Sequence, residues 1–176
     1  SRSSAGAGIT WAVSSLWHAP QRSAAASCRP RSKAIEGLLA QTWQNLELVA
    51  VDDASSDATA DVVRALAARD ARVKCVRLAS NVGTYVAKLA GLRHARGDFV
   101  ICHDSDDWSH PQRLALQMRP LLADRQVVAT TSQWARLDDD GRACARQVYP
   151  LLRLNVSSPL FRRREVEEHA GLWDAV

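Results

Sequence analysis

The pattern of apolar and polar positions divides the chain into an irregular start, a regular middle and a more strand-rich end. Residues 1–32 are rich in Ser, Ala and Arg, and only Ile9–Leu16 is apolar enough to form a strand. From Lys33 the spacing changes. Ile35, Leu38 and Leu39 fall at i, i+3 and i+4, which predicts an amphipathic helix ending near Thr42. The run Leu46–Val51, interrupted only by Glu47, predicts a strand, and Asp57–Arg69 a helix with Val62, Val63, Leu66 and Ala67 turned inward. A strand over Val73–Leu78, a turn at Asn81 and Gly83, a helix over Tyr85–Ala95 and a strand over Phe99–His103 follow. Pro111 opens another helix, in which Leu114, Met118, Leu121 and Leu122 share one face.

Short apolar strands alternating with helices predict an α/β fold, with a largely parallel sheet covered on both faces and joined by right-handed crossovers. Residues 33–123 form this unit, preceded by the atypical segment 1–32. Beyond Ala123, Val127–Trp134 and Ala143–Tyr149 read as strands flanking the turn signal Asp138-Asp139-Asp140-Gly141, so a small β-rich segment occupies 124–176.

Composition narrows the class. A chain of 176 residues with 47% hydrophobic content and a net charge of +4 suits one compact domain, not a disordered or fibrous protein. No apolar run approaches the ~20 residues of a membrane helix, and the start of the chain lacks the apolar core of a secretion signal. Cys28, Cys75, Cys102 and Cys144 show no C-x-x-C spacing, which argues against a zinc knuckle or disulfide framework and for a reducing cytoplasm. Arg162, Arg163 and Arg164 read as a solvated helix face, leaving peripheral contact with the inner face of a membrane open. The other basic residues are dispersed without interleaved aromatics, so no nucleic-acid partner is expected.

In open α/β sheets, ligands bind outside the carboxyl ends of the strands. Two acidic stretches occupy such places. Asp52 and Asp53 end one strand and are followed by Ser55, Ser56 and Asp57, of which Asp57 reads as a helix cap; the acid pair is suited to hydrogen bonds from a base or ribose. The strand Phe99–His103 runs into Asp104-Ser105-Asp106-Asp107-Trp108, where an extended chain would present Asp104 and Asp106 on one side and Asp107 on the other. Two such carboxylates suit Mg2+ or Mn2+, which take one or two carboxylates plus phosphate oxygens of a substrate. Asn81 lies on the same sheet edge, and Lys88, one helical turn further on, is placed to reach a phosphate or simply to meet solvent. His103 and His110 flank the acidic cluster without a further His or Cys at ligand spacing, and read as supporting or surface groups.

Taken together these segments resemble the family 2 glycosyltransferases of GT-A fold, bacterial enzymes that extend glycans from nucleotide-diphosphate sugars. The resemblance rests on Leu38-Leu39-Ala40-Gln41-Thr42-Trp43, Glu47 to Thr59, Asn81-Val82-Gly83, Gly91-Leu92, Ala95 to Val100 and Asp104 to Trp108, and covers about residues 33–176. It implies a Rossmann-like sheet and metal-dependent, inverting transfer of a sugar to a glycan or lipid-linked acceptor. It also implies that Asp52 or Asp53 recognises base and ribose, with Asn81 and Lys88 near the nucleotide. Asp104 would lie near ribose and metal, and Asp106 would hold Mn2+ or Mg2+ against the diphosphate, with a UDP-sugar the favoured donor.

Three departures accompany the resemblance. The family's first strand would fall near His18–Ala26, which is polar, with Ile9–Leu16 an imperfect substitute. Leu89 stands where the family usually carries Asn. Ser157 to Arg163 and Gly171-Leu172-Trp173-Asp174 resemble the segment before the acidic catalytic base, which leaves the expected base beyond Val176 and the catalytic residue unassigned. A nucleotide-sugar-binding domain without transfer activity is one alternative; a receiver-like phosphoacceptor domain, which also gathers acids around Mg2+, is another.

Overall fold

In a computed structural model the described residues are 8–15, 33–135, 153–155 and 159–169. In chain order they form β1 (Ile9–Ser15), α1 (33–39), β2 (Leu46–Asp52), α2 (Thr59–Arg69), β3 (Val73–Arg77), α3 (Thr84–Arg93), β4 (Phe99–Asp104) and α4 (Arg113–Ala123). These are followed by β5 (Ala129–Thr130), β6 (Gln133–Trp134), β7 (Arg153–Leu154), β8 (Leu160–Arg162) and α5 (Arg163–His169). The main sheet has the order β3-β2-β1-β4-β8-β5. Its pairs among β3, β2, β1 and β4 are parallel, and β8 joins antiparallel to both β4 and β5.

The strand at Ile9–Ser15 is more than a substitute at the margin. It occupies the centre of the sheet, pairing along its length with β2 and β4. Ile9, Trp11 and Val13 point into the larger core with Leu48, Ile101, Leu114 and Met118, while Ala12 packs on the opposite face with Leu92, Val100 and Cys102. Both faces of a central strand being buried, its polar–apolar alternation is weak, which is why the sequence marks it faintly. The His18–Ala26 stretch lies outside the described residues. On the second face α3 sits close to the sheet. A Cβ on Gly91 would stand 2.9 Å from Ala12 Cβ and 3.1 Å from Val51 Cγ2, so only glycine permits this approach.

Element boundaries fall within two residues of expectation except at the first helix, which ends at residue 39 and not near Thr42, and at the end of the α/β unit. The run Val127–Trp134 is two short strands, because the chain changes partners at Thr131: β5 joins the main sheet while β6 pairs with β7 in a separate ladder. Gln117 fixes the first part by donating to Thr130 O at 3.0 Å, and Asn155 N donates to Ser132 O at 2.7 Å in the second. Leu122 is 42% exposed, since eight residues past Leu114 it has rotated about 80° off the face that buries Leu114, Gln117, Met118 and Leu121. Ala143–Tyr149 and the turn before it lie outside the described residues.

The arginine run also departs from a solvated face. Arg162 donates to the carbonyls of Leu121, Asp124 and Val127 at the end of α4, and lies 5.4 Å over the Phe99 ring. Arg163 donates to Gly97 O at 2.7 Å; only Arg164, 80% exposed at its side chain and paired with Glu168, is a surface cation. Cys75 and Cys102 are free thiols, and burial pushes the Cys102 thiol up to about 12, leaving it protonated and inert. Among the described residues no helix is long and apolar enough to cross a membrane.

Candidate functional site

The carboxyl ends of β2 and β4 and the amino end of α3 meet on one edge of the sheet, since parallel strands order all their ends alike. After Asp52 the backbone turns sharply, with Ala54 at φ 55°, a left-handed conformation that costs a non-glycine residue about 1 kcal/mol. Such strain is retained where the surroundings demand a particular turn.

Asp52 and Asp53 are both buried. Asp53 accepts from Val82 N at 2.8 Å through one oxygen and from Gly83 N at 2.9 Å through the other, while Asn81 Nδ2 donates to its carbonyl at 3.3 Å. Gly83, at φ 84°, is the N-cap of α3, so the carboxylate also faces the positive end of that helix. Asp53 therefore holds the Asn81–Gly83 loop in place. Asp52 accepts from Ser55 N at 3.2 Å and lies 3.4 Å from Arg77 Nε, which brace its turn. Asp57 accepts from Thr59 N at 3.0 Å but stands one residue before the N-cap of α2, which is Ala58 and makes no side-chain cap bond, so Asp57 braces the turn into the helix and is not its cap.

Lys88 is buried, and its Nζ lies 2.7 Å from Asp104 Oδ1. Its position one turn into α3 directs it to the end of β4, where it meets a carboxylate of the site instead of open solvent. The acidic stretch does not continue as extended chain. Asp107 N donates to Asp104 O at 3.2 Å, closing a turn through Ser105 and Asp106, so strand alternation does not place Asp104 and Asp106 together. The dense run of acids and small polar residues favours that turn over a longer strand. Asp104 is partly exposed, Ser105 is buried, and Asp106 and Asp107 are exposed at the tip. Partial burial, with the charges of Asp106 and Asp104, pushes the Asp107 carboxyl up.

Two residues carry more than the sequence suggested. His103 is buried beneath the turn, its Nε2 3.1 Å from Ser109 Oγ. Burial first, then the Arg113 charge, lowers its pKa to about 4 against opposing contacts with Asp104, so the ring is neutral. Gln41 is fully buried and spans two elements, donating to His110 O at 2.8 Å and accepting from Leu114 N at 3.1 Å. It caps α4 from outside that helix. A polar residue closing an apolar helix, and a histidine in an apolar strand, were the available signals.

Among the described residues no cluster of three or more His, Cys, Asp or Glu forms a self-contained metal cage. Asp104 and Asp106 are hard oxygen donors on an accessible turn, a donor set that fits Mg2+ or Mn2+ completed by phosphate oxygens.

Comparison with known proteins gives this edge a context. The family model described as Glycosyl transferase family 2 matches residues 32–168. An uncharacterized glycosyltransferase of Haemophilus influenzae is 32% identical over 110 residues, covering 62% of this chain and 44% of its own length. A UDP-Glc:alpha-D-GlcNAc-diphosphoundecaprenol beta-1,3-glucosyltransferase of Escherichia coli is 33% identical over 104 residues, covering 59% of this chain and 41% of its own. Among solved structures, a mannosyltransferase from Pyrobaculum calidifontis in complex with GDP-Man and Mn2+ superposes with a TM-score of 0.67 at 24% identity, over 92% of this chain and 46% of that one. The chain thus spans less than half the length of these relatives, and the last likeness shows the fold, GT-A. With more than half of its residues matched by the family model, the chain belongs to glycosyl transferase family 2.

Proposed function

We propose that the chain provides the donor-binding part of an enzyme that transfers a sugar from a nucleotide-diphosphate sugar to a glycan or lipid-linked acceptor, with inversion. The observation that carries this reading is the acidic turn Asp104–Asp107 on the same sheet edge as Lys88 and the Asp53-held loop, in a chain of this family. The nucleotide lies across the ends of β2 and β4, read by the turn that Asp52 and Asp53 shape and by Asn81; Asp53 acts through the loop it positions. Lys88 keeps positive charge beside Asp104 where the diphosphate arrives. Asp104 and Asp106 hold Mn2+ or Mg2+, which when bound offsets charge on the departing nucleoside diphosphate. The acceptor oxygen bonds to the anomeric carbon as the carbon–phosphate-oxygen bond breaks on the opposite face, and the hydroxyl proton passes to a carboxylate base.

The named relatives support this donor class: one is solved with GDP-Man and Mn2+, and another is named for UDP-Glc and a diphosphoundecaprenol-linked sugar. UDP remains the favoured base, and an acceptor on a lipid carrier would draw the protein to the inner membrane face. The receiver-like alternative falls away, because the family match is to glycosyltransferases and the acid pair follows β2, not the central β1.

A thermal-shift panel of UDP, GDP, CDP and dTDP, each with Mn2+ and with chelator, tests the reading. One nucleotide at about 100 times its Kd should stabilise the chain by about 2.7 kcal/mol in the presence of metal. Asp106→Ala should remove that shift while leaving the melting temperature of the unliganded protein unchanged, since Asp106 is exposed. Absence of any metal-dependent shift overturns the proposal.

A further inference from the structure

We propose that His103, Ser109 and Arg113 form a clamp that fixes the base of the acidic turn, and so sets where Asp104 and Asp106 stand to meet a divalent cation. This rests on the donor-site reading above. His103 precedes Asp104, and Ser109 follows the turn. Their contact, Nε2 to Oγ at 3.1 Å, closes the loop that carries both carboxylates. Inside it, the 3.2 Å bond from Asp107 N to Asp104 O closes the tighter turn. Arg113, in the first turn of α4, donates to the same Ser109 Oγ at 3.0 Å and to Gln117 Oε1 at 3.1 Å. Its guanidinium lies 5.6 Å from the centre of the Trp11 ring, and that ring meets His103 edge to face at 5.3 Å. One hydroxyl thus ties the end of β4 to the start of α4 over a rigid aromatic floor. Further along, Gln41 Nε2 to His110 O and Thr42 N to Pro111 O, both 2.8 Å, hold the chain leaving the loop. Asp106 stays exposed at the tip.

Packing alone does not account for a histidine here. Phe99, Val100, Ile101 and Cys102 fill the preceding positions of β4, and an apolar side chain would complete that run. His103 instead buries a ring whose Nδ1 meets no hydrogen-bond partner among the described residues, and Trp11 Nε1 beneath it meets none either. Buried polar atoms without partners are destabilising, so an apolar isostere at 103 should fold at least as well. What it would lose is the bond to Ser109. Groups that orient metal-binding side chains from behind govern affinity in this way, by holding donor oxygens in one arrangement.

The test compares wild type, His103→Leu, Ser109→Ala and Ser109→Thr by melting temperature, amide exchange across residues 104–109, and calorimetric Kd for UDP and GDP with Mn2+ and with chelator. His103→Leu should keep the melting temperature of wild type or exceed it, whereas Ser109→Ala, which strands His103 Nε2 and one Arg113 donor, should lower it; both should exchange faster in the turn. Their Mn2+-supported affinity should fall by about tenfold, with metal-free affinity unchanged. Ser109→Thr, which keeps the hydroxyl, should restore both readouts. Wild-type exchange and Mn2+-supported affinity in Ser109→Ala overturn the clamp, and so does an equal loss with and without metal. If wild type itself shows no Mn2+-dependent binding, the donor-site reading fails, and exchange alone decides the clamp: faster in both variants and restored by threonine sustains it, unchanged overturns it.

Discussion

The same parallel strands end in polar networks on both edges of the sheet, and the two are built to opposite ends. At the amino edge Thr10 and Lys74 donate to Glu47, Arg96 N donates to the same carboxylate, and Gly97 N donates to Thr10 Oγ1 at 2.9 Å. Donors and acceptors there are matched within the protein and tie β1, β2, β3 and the chain entering β4. At the carboxyl edge Ala54 is left-handed, Asp107 is raised by partial burial and then by neighbouring acids, His103 keeps an unmatched nitrogen and Asp106 faces solvent. Strained or incomplete bonding at that edge thus stands beside well-matched groups such as Asp53 and Lys88, whereas the bonds at the amino edge are closed within the protein.

Acid should separate the two edges, with the largest effect at the carboxyl side. The folded protein keeps His103 neutral down to about 4, whereas the unfolded chain protonates it near 6.5, so falling pH favours unfolding across that window. The shift corresponds to roughly 3 kcal/mol. Glu47 behaves oppositely in range. Burial would raise its pKa, but hydrogen bonds from Lys74, Thr10 and the Arg96 backbone outweigh it and lower the value. Its contribution persists above the ordinary carboxylate range and is lost only as pH falls through the lowered value. Urea midpoints measured against pH should show one fall that His103→Leu removes and a second, at lower pH, that Glu47→Gln removes.

Deleting the hub of the matched edge should come next. Glu47→Ala takes the acceptor from the Thr10 hydroxyl and from Arg96 N and leaves Lys74 without this carboxylate; because the Lys74 side chain is 34% exposed, the loss should be about 2 kcal/mol, below that of a fully buried pair. Chemical denaturation would measure it, and nucleotide affinity in the folded variant should be unchanged.

Legibility in the sequence follows the same division. Strand and helix order from β2 to α4 was readable because apolar period sets it, and the acids at strand ends were readable because topology puts them on one edge. What escaped was set by pairing between distant residues. Glu47 looked like an interruption in an apolar strand until Thr10 appeared opposite it in register. Lys88 and Asp104 meet only because α3 packs against the sheet, and Asp104 and Asp106 lost their shared side to a turn closed by one backbone bond. The break at Thr131 depends on β7 and β8, which arrive later in the chain. Gln41 stood in a motif whose spacing was clear but whose partner, Leu114 N, was not.

Relieving strain at the carboxyl edge gives a smaller change of opposite sign. Ala54→Gly removes the left-handed penalty but adds freedom to the unfolded chain, so a net gain of about 0.5 kcal/mol is expected. If the turn serves binding, the variant should also weaken nucleotide affinity slightly, whereas the matched edge offers no substitution that stabilises and weakens binding together.

The smallest effect sharpens the contrast by charge alone. Asp107 is held above the usual carboxylate range by partial burial and by Asp106 and Asp104, so the folded state resists its ionisation. For an acid with a raised folded value, stability is greatest while both states are protonated and declines as pH rises through the window between the unfolded and folded values. Asp107→Asn removes that decline. It should therefore raise the melting temperature slightly at pH 7 and leave it unchanged at pH 3, the gain staying small because the side chain is largely solvated. Added Mn2+ should diminish the gain by neutralising the same repulsion at Asp104 and Asp106. A gain that metal leaves untouched would mean that burial, and not repulsion at the proposed cation site, sets the raised value.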